Sequence, residues 1–341
     1  MNRKRIIISR TDSIGDVILT LPLAGILKKE FPASYLIFLG RTYTKAIIET
    51  CEHIDEFADW DLISSMDNDQ AIEEFRKLKA DSIIHVFPRK EINSLARKAD
   101  IPIRIGTKNR TYHWVGCNKL VKLSRKNSEL HESQLNLKLL SPFNINKEFS
   151  LEELQQYYGF NKLKELSKDI IALIDKDKFN LILHPKSKGS AREWGLDNFA
   201  KLIEILPKDK FKIFITGTTV EAELMNDQLI SKYANDITDL TSKLDLSKLI
   251  AFINQADGLI GASTGPLHIA AALGKHALGI YPPIRPMHPG RWSPVGQNAF
   301  CFVVDKECNE CRKISVCECM HSISPEMVKE KLESIILNNK Q

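Results

Sequence analysis

Asp16 stands in the stretch SRTDSIGDVILTLP, residues 9–22, directly after the single glycine of that stretch, Gly15. The stretch follows Ile6-Ile7-Ile8, a short apolar run that reads as a buried strand. An α/β chain commonly places a phosphate-binding glycine loop here. Neither G-x-G-x-x-G nor G-x-x-x-x-G-K-[ST] occurs at this point. A carboxylate in the first turn of the next helix is favoured by the helix dipole and the free backbone N–H groups. Held ionised beside a cleft, it can take a proton as a general base. On position alone, Asp16 suits a first-turn or capping acid equally well.

Three further stretches carry residues suited to anion or sugar binding. In HPKSKGSAREW, residues 184–194, Lys186, Ser187, Lys188 and Arg192 follow a strand-like run. Cations and hydroxyls on such a loop suit a pyrophosphate, and a polar loop anchored by Trp194 is the plainer reading. In TGTTVEAE, residues 216–223, Glu221 opens a helix. An acid there accepts bonds from ribose hydroxyls or simply favours the helix N-terminus. In GASTGPLHIAAALG, residues 261–274, a strand ends in Ser263-Thr264-Gly265-Pro266. Pro266 fits the first helical position, so the N–H groups around Gly265 form an anion site of the helix-N-terminus type. His268 contacts phosphate there or is a satisfied half-buried histidine.

These residues need elements to position them. Strand-like runs at 5–9, 35–39, 82–87 and 101–105 alternate with helix-like runs, notably 16–31, 71–79 and 92–99. Pro22 should bend the first of these helices. A polar stretch, 141–178, reads as a connector. A second series follows, with strands at 181–184, 212–216, 259–262 and 277–281 and helices from about 196, 220, 246 and 266. Such alternation implies βαβ units, two parallel sheets and a cleft between two similar domains. A last helix, 325–338, is apolar on one face.

The 341 residues are 43% hydrophobic and 27% charged, which fits one or two globular domains. No apolar run approaches a membrane span, and three isoleucines are too short for a signal peptide, so a cytoplasmic place is expected. Between Val86 and Lys126, eleven Lys or Arg face two acids, Glu91 and Asp100. This stretch suits an anionic partner such as a phosphorylated substrate, a membrane surface or nucleic acid, or is a solvated basic face. Cys308, Cys311, Cys317 and Cys319 cluster with C-x2-C and C-x-C spacing. Structural zinc, labile thiols or a packed loop are all open readings.

Taken together, RTDSIGDVILTLP, HPKSKGSAREW, TGTTVEAE and GASTGPLHIAAALG resemble the family 9 glycosyltransferases, the ADP-heptose:lipopolysaccharide heptosyltransferases. The tail CNECRKISVCECMHSISPEMV is similar to the Cys-rich end of many members. The resemblance spans nearly the whole chain in order. It implies an α/β GT-B architecture, two Rossmann-like domains facing across a cleft. Residues 1–175 would bind the acceptor and 176–324 the nucleotide sugar, with 325–341 packing back on the N-terminal domain. It also implies inverting transfer with no metal or other cofactor required. Asp16 would be the base, with Ser13 and Gly15 beside the acceptor. The donor would be held by Lys186, Ser187, Lys188, Arg192, Glu221, Ser263, Thr264, Gly265, Pro266 and His268.

The basic residues Arg89, Lys90, Arg97 and Lys98 would hold an anionic lipopolysaccharide core, or another anionic glycolipid, and the inner face of the cytoplasmic membrane. Nucleic acid is not an expected partner. In the best-known heptosyltransferases an aspartate stands where this chain has Ser263, which weakens heptose as donor more than glycosyl transfer itself. Arg192 replaces a lysine and keeps the charge with a different geometry. A family 9 enzyme with another donor, a nucleotide-sugar 2-epimerase and a non-catalytic sugar-nucleotide binder remain the other readings. A nicotinamide dehydrogenase is disfavoured, because the first βα turn lacks its glycine fingerprint.

Overall fold

The computed structural model describes residues 4–125, 128–284, 287–306, 308 and 318–338. The chain divides into two compact units, Met1–Lys162 and Leu163–Gln341. The division falls earlier than the expected 175/176 boundary. The short helix Lys168–Ile171 packs on the helix Leu246–Gln255 and so belongs to the second unit.

Each unit is built on a six-stranded parallel sheet. The first holds β1 (Arg5–Ser9), β2 (Tyr35–Gly40), β3 (Glu56–Asp59), β4 (Ser82–His85), β5 (Ile103–Thr107) and β6 (Lys119–Val121). The second holds β7 (Phe179–His184), β8 (Phe211–Ile215), β9 (Ile237–Asp239), β10 (Gly258–Gly261), β11 (His276–Ile280) and β12 (Ala299–Phe302). Their orders are β3-β2-β1-β4-β5-β6 and β12-β11-β10-β7-β8-β9. Counted from the first strand of each unit, both are the doubly wound order 3-2-1-4-5-6. That order reverses between the first and fourth strands, and ligands bind beyond the carboxyl ends at that switch point. The two switch points are β1/β4 and β7/β10.

The apolar runs become the interior strands because helices cover both faces of a parallel sheet. Ile6, Ile7 and Ile8 are fully buried, as are Leu181, Ile182 and Leu183. The expected long helix after β1 is instead two, Ile14–Ile18 and Leu21–Glu30. Pro22 lacks the N–H that Ile18 would need, so it sits in the first turn of the second helix, where no such donor is required. The Thr20 hydroxyl donates to the Asp16 carbonyl at 2.8 Å across the break. Gly25 is required by a close approach: a Cβ there would overlap the backbone of Tyr157.

The helix Pro325–Asn338 packs within the second unit. Val328, Leu332 and Ile335 are buried in the core of the second unit, with the helix against Leu196–Ile205. No described helix is long and apolar enough to cross a membrane.

Candidate active site

The loop after β1 begins with a buried cation. Arg10 is 2% exposed, and three carboxylates meet it. Its Nε donates to Asp12 Oδ1 at 2.7 Å and its Nη1 to Glu132 Oε1 at 3.0 Å. Its Nη2 pairs with Asp16 Oδ1, while the Ser13 hydroxyl donates to Asp16 Oδ2. Both oxygens of Asp16 are therefore oriented, yet its side chain keeps 16% of its surface exposed. Asp16 lies in the first turn of Ile14–Ile18, as expected, and Gly15 precedes it in that turn.

The support for Arg10 comes from a distant helix, Glu132–Leu137. Glu132 is 1% exposed and also accepts from Arg125 Nε at 2.9 Å. Asn136 Oδ1 accepts from Arg125 at 3.0 Å, and its amide donates to Thr20 Oγ1 at 3.2 Å. Burial tends to lower the pKa of Arg10, but Asp12, Asp16 and Glu132 outweigh it and raise it above its ordinary value. Burial pushes Asp12 up to about 6 against the pull of Arg10, with Asp16 adding to the rise.

The four basic residues expected to line an acceptor surface divide. Arg89 joins the site: its Nε donates to Thr11 Oγ1 at 2.6 Å and its Nη2 to the Thr11 carbonyl at 3.2 Å. Lys90 is exposed at the start of the helix Lys90–Lys98. Arg97 and Lys98 lie in its last turn, about 12 Å away at 1.5 Å per residue. Lys98 Nζ donates to Asn68 Oδ1 at 3.0 Å, away from the β1 loop. Arg89 and Lys90 thus lie at the start of this helix, and Arg97 and Lys98 at its other end.

At the second switch point stands His184, the last residue of β7. His184 Nδ1 is 2.9 Å from Thr216 Oγ1. Burial lowers its pKa to about 4, and Glu221, Lys188 and Glu193 all lie near enough to act on it. Glu221 is 4% exposed and closes a capping box: Oε2 accepts from the Thr218 N–H at 2.7 Å and hydroxyl at 2.9 Å. The cap uses a single carboxylate oxygen, Oε2.

The loop after β7 is held by an acid to which the sequence reading assigned no role. Glu193 pairs with Lys186 at 2.5 Å and accepts from the Ser187 N–H at 2.9 Å and hydroxyl at 3.1 Å. Lys186 and Ser187 are thereby engaged in loop structure. Lys188 is exposed with φ +49°, next to Gly189 at φ +77°, and Arg192 is half-buried. Beyond β10, the helix Gly265–Ala272 begins with Thr264 as its cap residue and Pro266 in its first turn. The Thr264 hydroxyl is buried with no hydrogen-bond partner among the described residues. His268 is 3% exposed in the same turn, while Ser263 is half-buried.

Cys308 is half-buried and Cys319 buried, and Cys311 and Cys317 lie outside the described residues. Among the described residues no group of three His, Cys, Asp or Glu side chains is placed to hold a metal ion. The residues that the sequence reading missed are Arg10, Asp12, Glu132, Asn136 and Glu193. Arg10 and Asp12 had a local signal, charges close after the apolar run Ile6-Ile7-Ile8. Glu132 and Asn136 had none.

One unit thus presents an oriented carboxylate at its switch point, and the other a helix N-terminus, cations and a buried acid. Residues 74–321 match the family profile of glycosyltransferase family 9 (heptosyltransferase). A Haemophilus influenzae protein provisionally named a glycosyltransferase is 27% identical over 326 residues, 89% of this chain and 91% of that one. A family 9 glycosyltransferase structure from Veillonella parvula superposes with a TM-score of 0.77 at 20% identity, covering 98% of this chain and 97% of that one. Escherichia coli ADP-heptose lipopolysaccharide heptosyltransferase II gives 0.76 at 15% identity, covering 99% and 100%. The two Rossmann-like domains are of the GT-B class, and the chain is a glycosyltransferase belonging to family 9.

Proposed function

We propose that the chain moves a heptose, or a related sugar, from an ADP-activated donor to a lipopolysaccharide core or similar anionic glycolipid, with inversion and without a metal. The observation that carries this reading is Asp16, partly exposed at the β1/β4 switch point with both oxygens oriented by Arg10 and Ser13. In the reaction the acceptor oxygen attacks the anomeric carbon and its proton passes to Asp16. The bond from that carbon to the diphosphate oxygen breaks on the opposite face, and ADP leaves. The ADP and lipopolysaccharide terms rest on the E. coli relative named above, an ADP-heptose lipopolysaccharide heptosyltransferase.

The leaving diphosphate would meet the N-terminus of Gly265–Ala272 with the Thr264 hydroxyl, and Lys188 and Arg192 on the loop after β7. Lys186 and Ser187 would follow only by exchanging Glu193 for phosphate oxygens. Glu221 Oε1 would take a ribose hydroxyl. Ser263, uncharged where the best-known heptosyltransferases carry an aspartate, leaves the sugar itself open to heptose or a relative. Arg89 and Lys90 would hold acidic groups of the acceptor.

A specific observation favours one variant of this reading. Asp12 shares Arg10 with Asp16 and is pushed up to about 6, closer to neutrality than an ordinary carboxyl and better matched to base work at pH 7. Transfer assays on Asp16→Asn and Asp12→Asn, with ADP-heptose and a lipopolysaccharide core acceptor, separate the two. Loss of turnover with unchanged ADP binding marks the base.

A further inference from the structure

Trp114 and Val115 stand side by side on the short helix Thr111–Gly116, 63% and 67% exposed. They are held firmly. The Asn93 amide donates to the Tyr112 carbonyl at 2.9 Å, and a Cβ at Gly116 would overlap that amide. His113 is buried beneath, and the Trp114 indole N–H donates to the Lys108 carbonyl at 2.8 Å. The Lys108 N–H donates in turn to the Val121 carbonyl at 2.9 Å, which sets Lys122 beside Lys108.

Cations surround this apolar tip. Lys108, Arg110, Lys119 and Lys122 are exposed, and none forms an ion pair among the described residues. Glu91 is the acid acting on Tyr112, and the one other acid between Val86 and Arg125, Asp100, lies beyond the far end of Lys90–Lys98. An indole with an aliphatic neighbour, ringed by Lys and Arg, matches the headgroup layer of an anionic bilayer. A six-residue helix is too small for a stable protein interface, whereas a bilayer needs only a few inserted side chains.

We propose that this tip docks on an anionic lipid bilayer. Trp114 and Val115 enter the headgroup layer, and Lys108, Arg110 and Lys122 meet lipid phosphates. The tip follows the carboxyl end of β5, two strands and about 10 Å from β1. It therefore serves the same sheet edge as Asp16, which, resting on the transfer reading, is where a lipid-anchored acceptor must present its hydroxyl.

The test is co-sedimentation of the full chain with vesicles of mixed phosphatidylglycerol and phosphatidylcholine, and of phosphatidylcholine alone. Brominated lipid in the mixed vesicles reports on tryptophan. Wild type is expected to bind the anionic vesicles, with bromolipid quenching of its fluorescence. Trp114→Ala/Val115→Ser and Lys108→Gln/Lys122→Gln should each weaken partitioning by about tenfold or more, with unfolding curves showing both variants folded. Wild type that ignores anionic vesicles, variants that bind like wild type, or binding without quenching would overturn the proposal. The last outcome would mean adsorption by charge alone, with Trp114 outside the headgroup layer. Stabilisation by ADP, read on the same samples without vesicles, checks the transfer reading separately.

Discussion

Arg10 Nη1 donates to Glu132 Oε1 at 3.0 Å, joining two residues 122 positions apart inside the first unit. Arg10 orients one oxygen of Asp16, so the geometry of the candidate base depends in part on a helix far from it in sequence. Glu132→Gln would leave the buried Arg10 and the half-buried Arg125 with too little opposing charge. Removing one partner of such a pair costs about 3–5 kcal/mol. Urea unfolding should show a loss of that order, and turnover should fall more than ADP affinity.

The pH dependence of Asp12 has a definite sign. Its folded pKa, about 6, lies above the ordinary value of 3.8. The native state therefore holds more proton than the unfolded chain between these values, and its contribution to stability falls as pH rises through them. Asp12→Asn should remove this downward component. Unfolding free energy measured in steps from pH 4 to pH 7 checks it, as the wild-type and variant curves should diverge in slope within that window.

Thr264 separates binding from folding. Its hydroxyl is buried with no partner among the described residues and caps nothing. Thr264→Val should leave the protein as stable or slightly more so, because no hydrogen bond is lost. ADP affinity should fall about tenfold, since a phosphate oxygen at this helix N-terminus would lose a donor. Calorimetry on both proteins reads the two quantities.

The basic residues offer a contrast within one helix. Arg89→Gln should raise the KM for an acidic acceptor several-fold, because Arg89 is fixed on Thr11 in the β1 loop. Arg97→Gln/Lys98→Gln should leave that KM unchanged, because both lie at the other end of Lys90–Lys98. Steady-state kinetics with varied acceptor distinguishes them.

What was legible in the sequence follows from burial. The eight strands read from apolar runs are β1, β2, β4 and β5, then β7, β8, β10 and β11, the interior strands of the two sheets. The four that were missed, β3, β6, β9 and β12, are the edge strands. Lys119–Val121 has no buried residue and Ala299–Phe302 only one, so neither shows the continuous apolar run of a doubly covered strand. The loops that follow β1, β7, β8 and β10 were equally legible, since their residues are contiguous. The Arg10 network was not, because Glu132 and Asn136 reach it only through tertiary packing. Lys186 and Arg97 read as cations available to a ligand, whereas three-dimensional neighbours decide that. Glu193 neutralises one, and a helix carries the other away.

The most direct test is transfer from ADP-heptose to a lipopolysaccharide core acceptor, followed by mass spectrometry of the product, for wild type and Asp16→Asn. ADP binding is measured in parallel. The expected result is a heptosylated product from wild type, a loss of about 100-fold or more in turnover for Asp16→Asn, and equal ADP affinity for both. Full turnover by Asp16→Asn, or no product from wild type with ADP bound, would contradict the assignment of Asp16 as the base of heptosyl transfer.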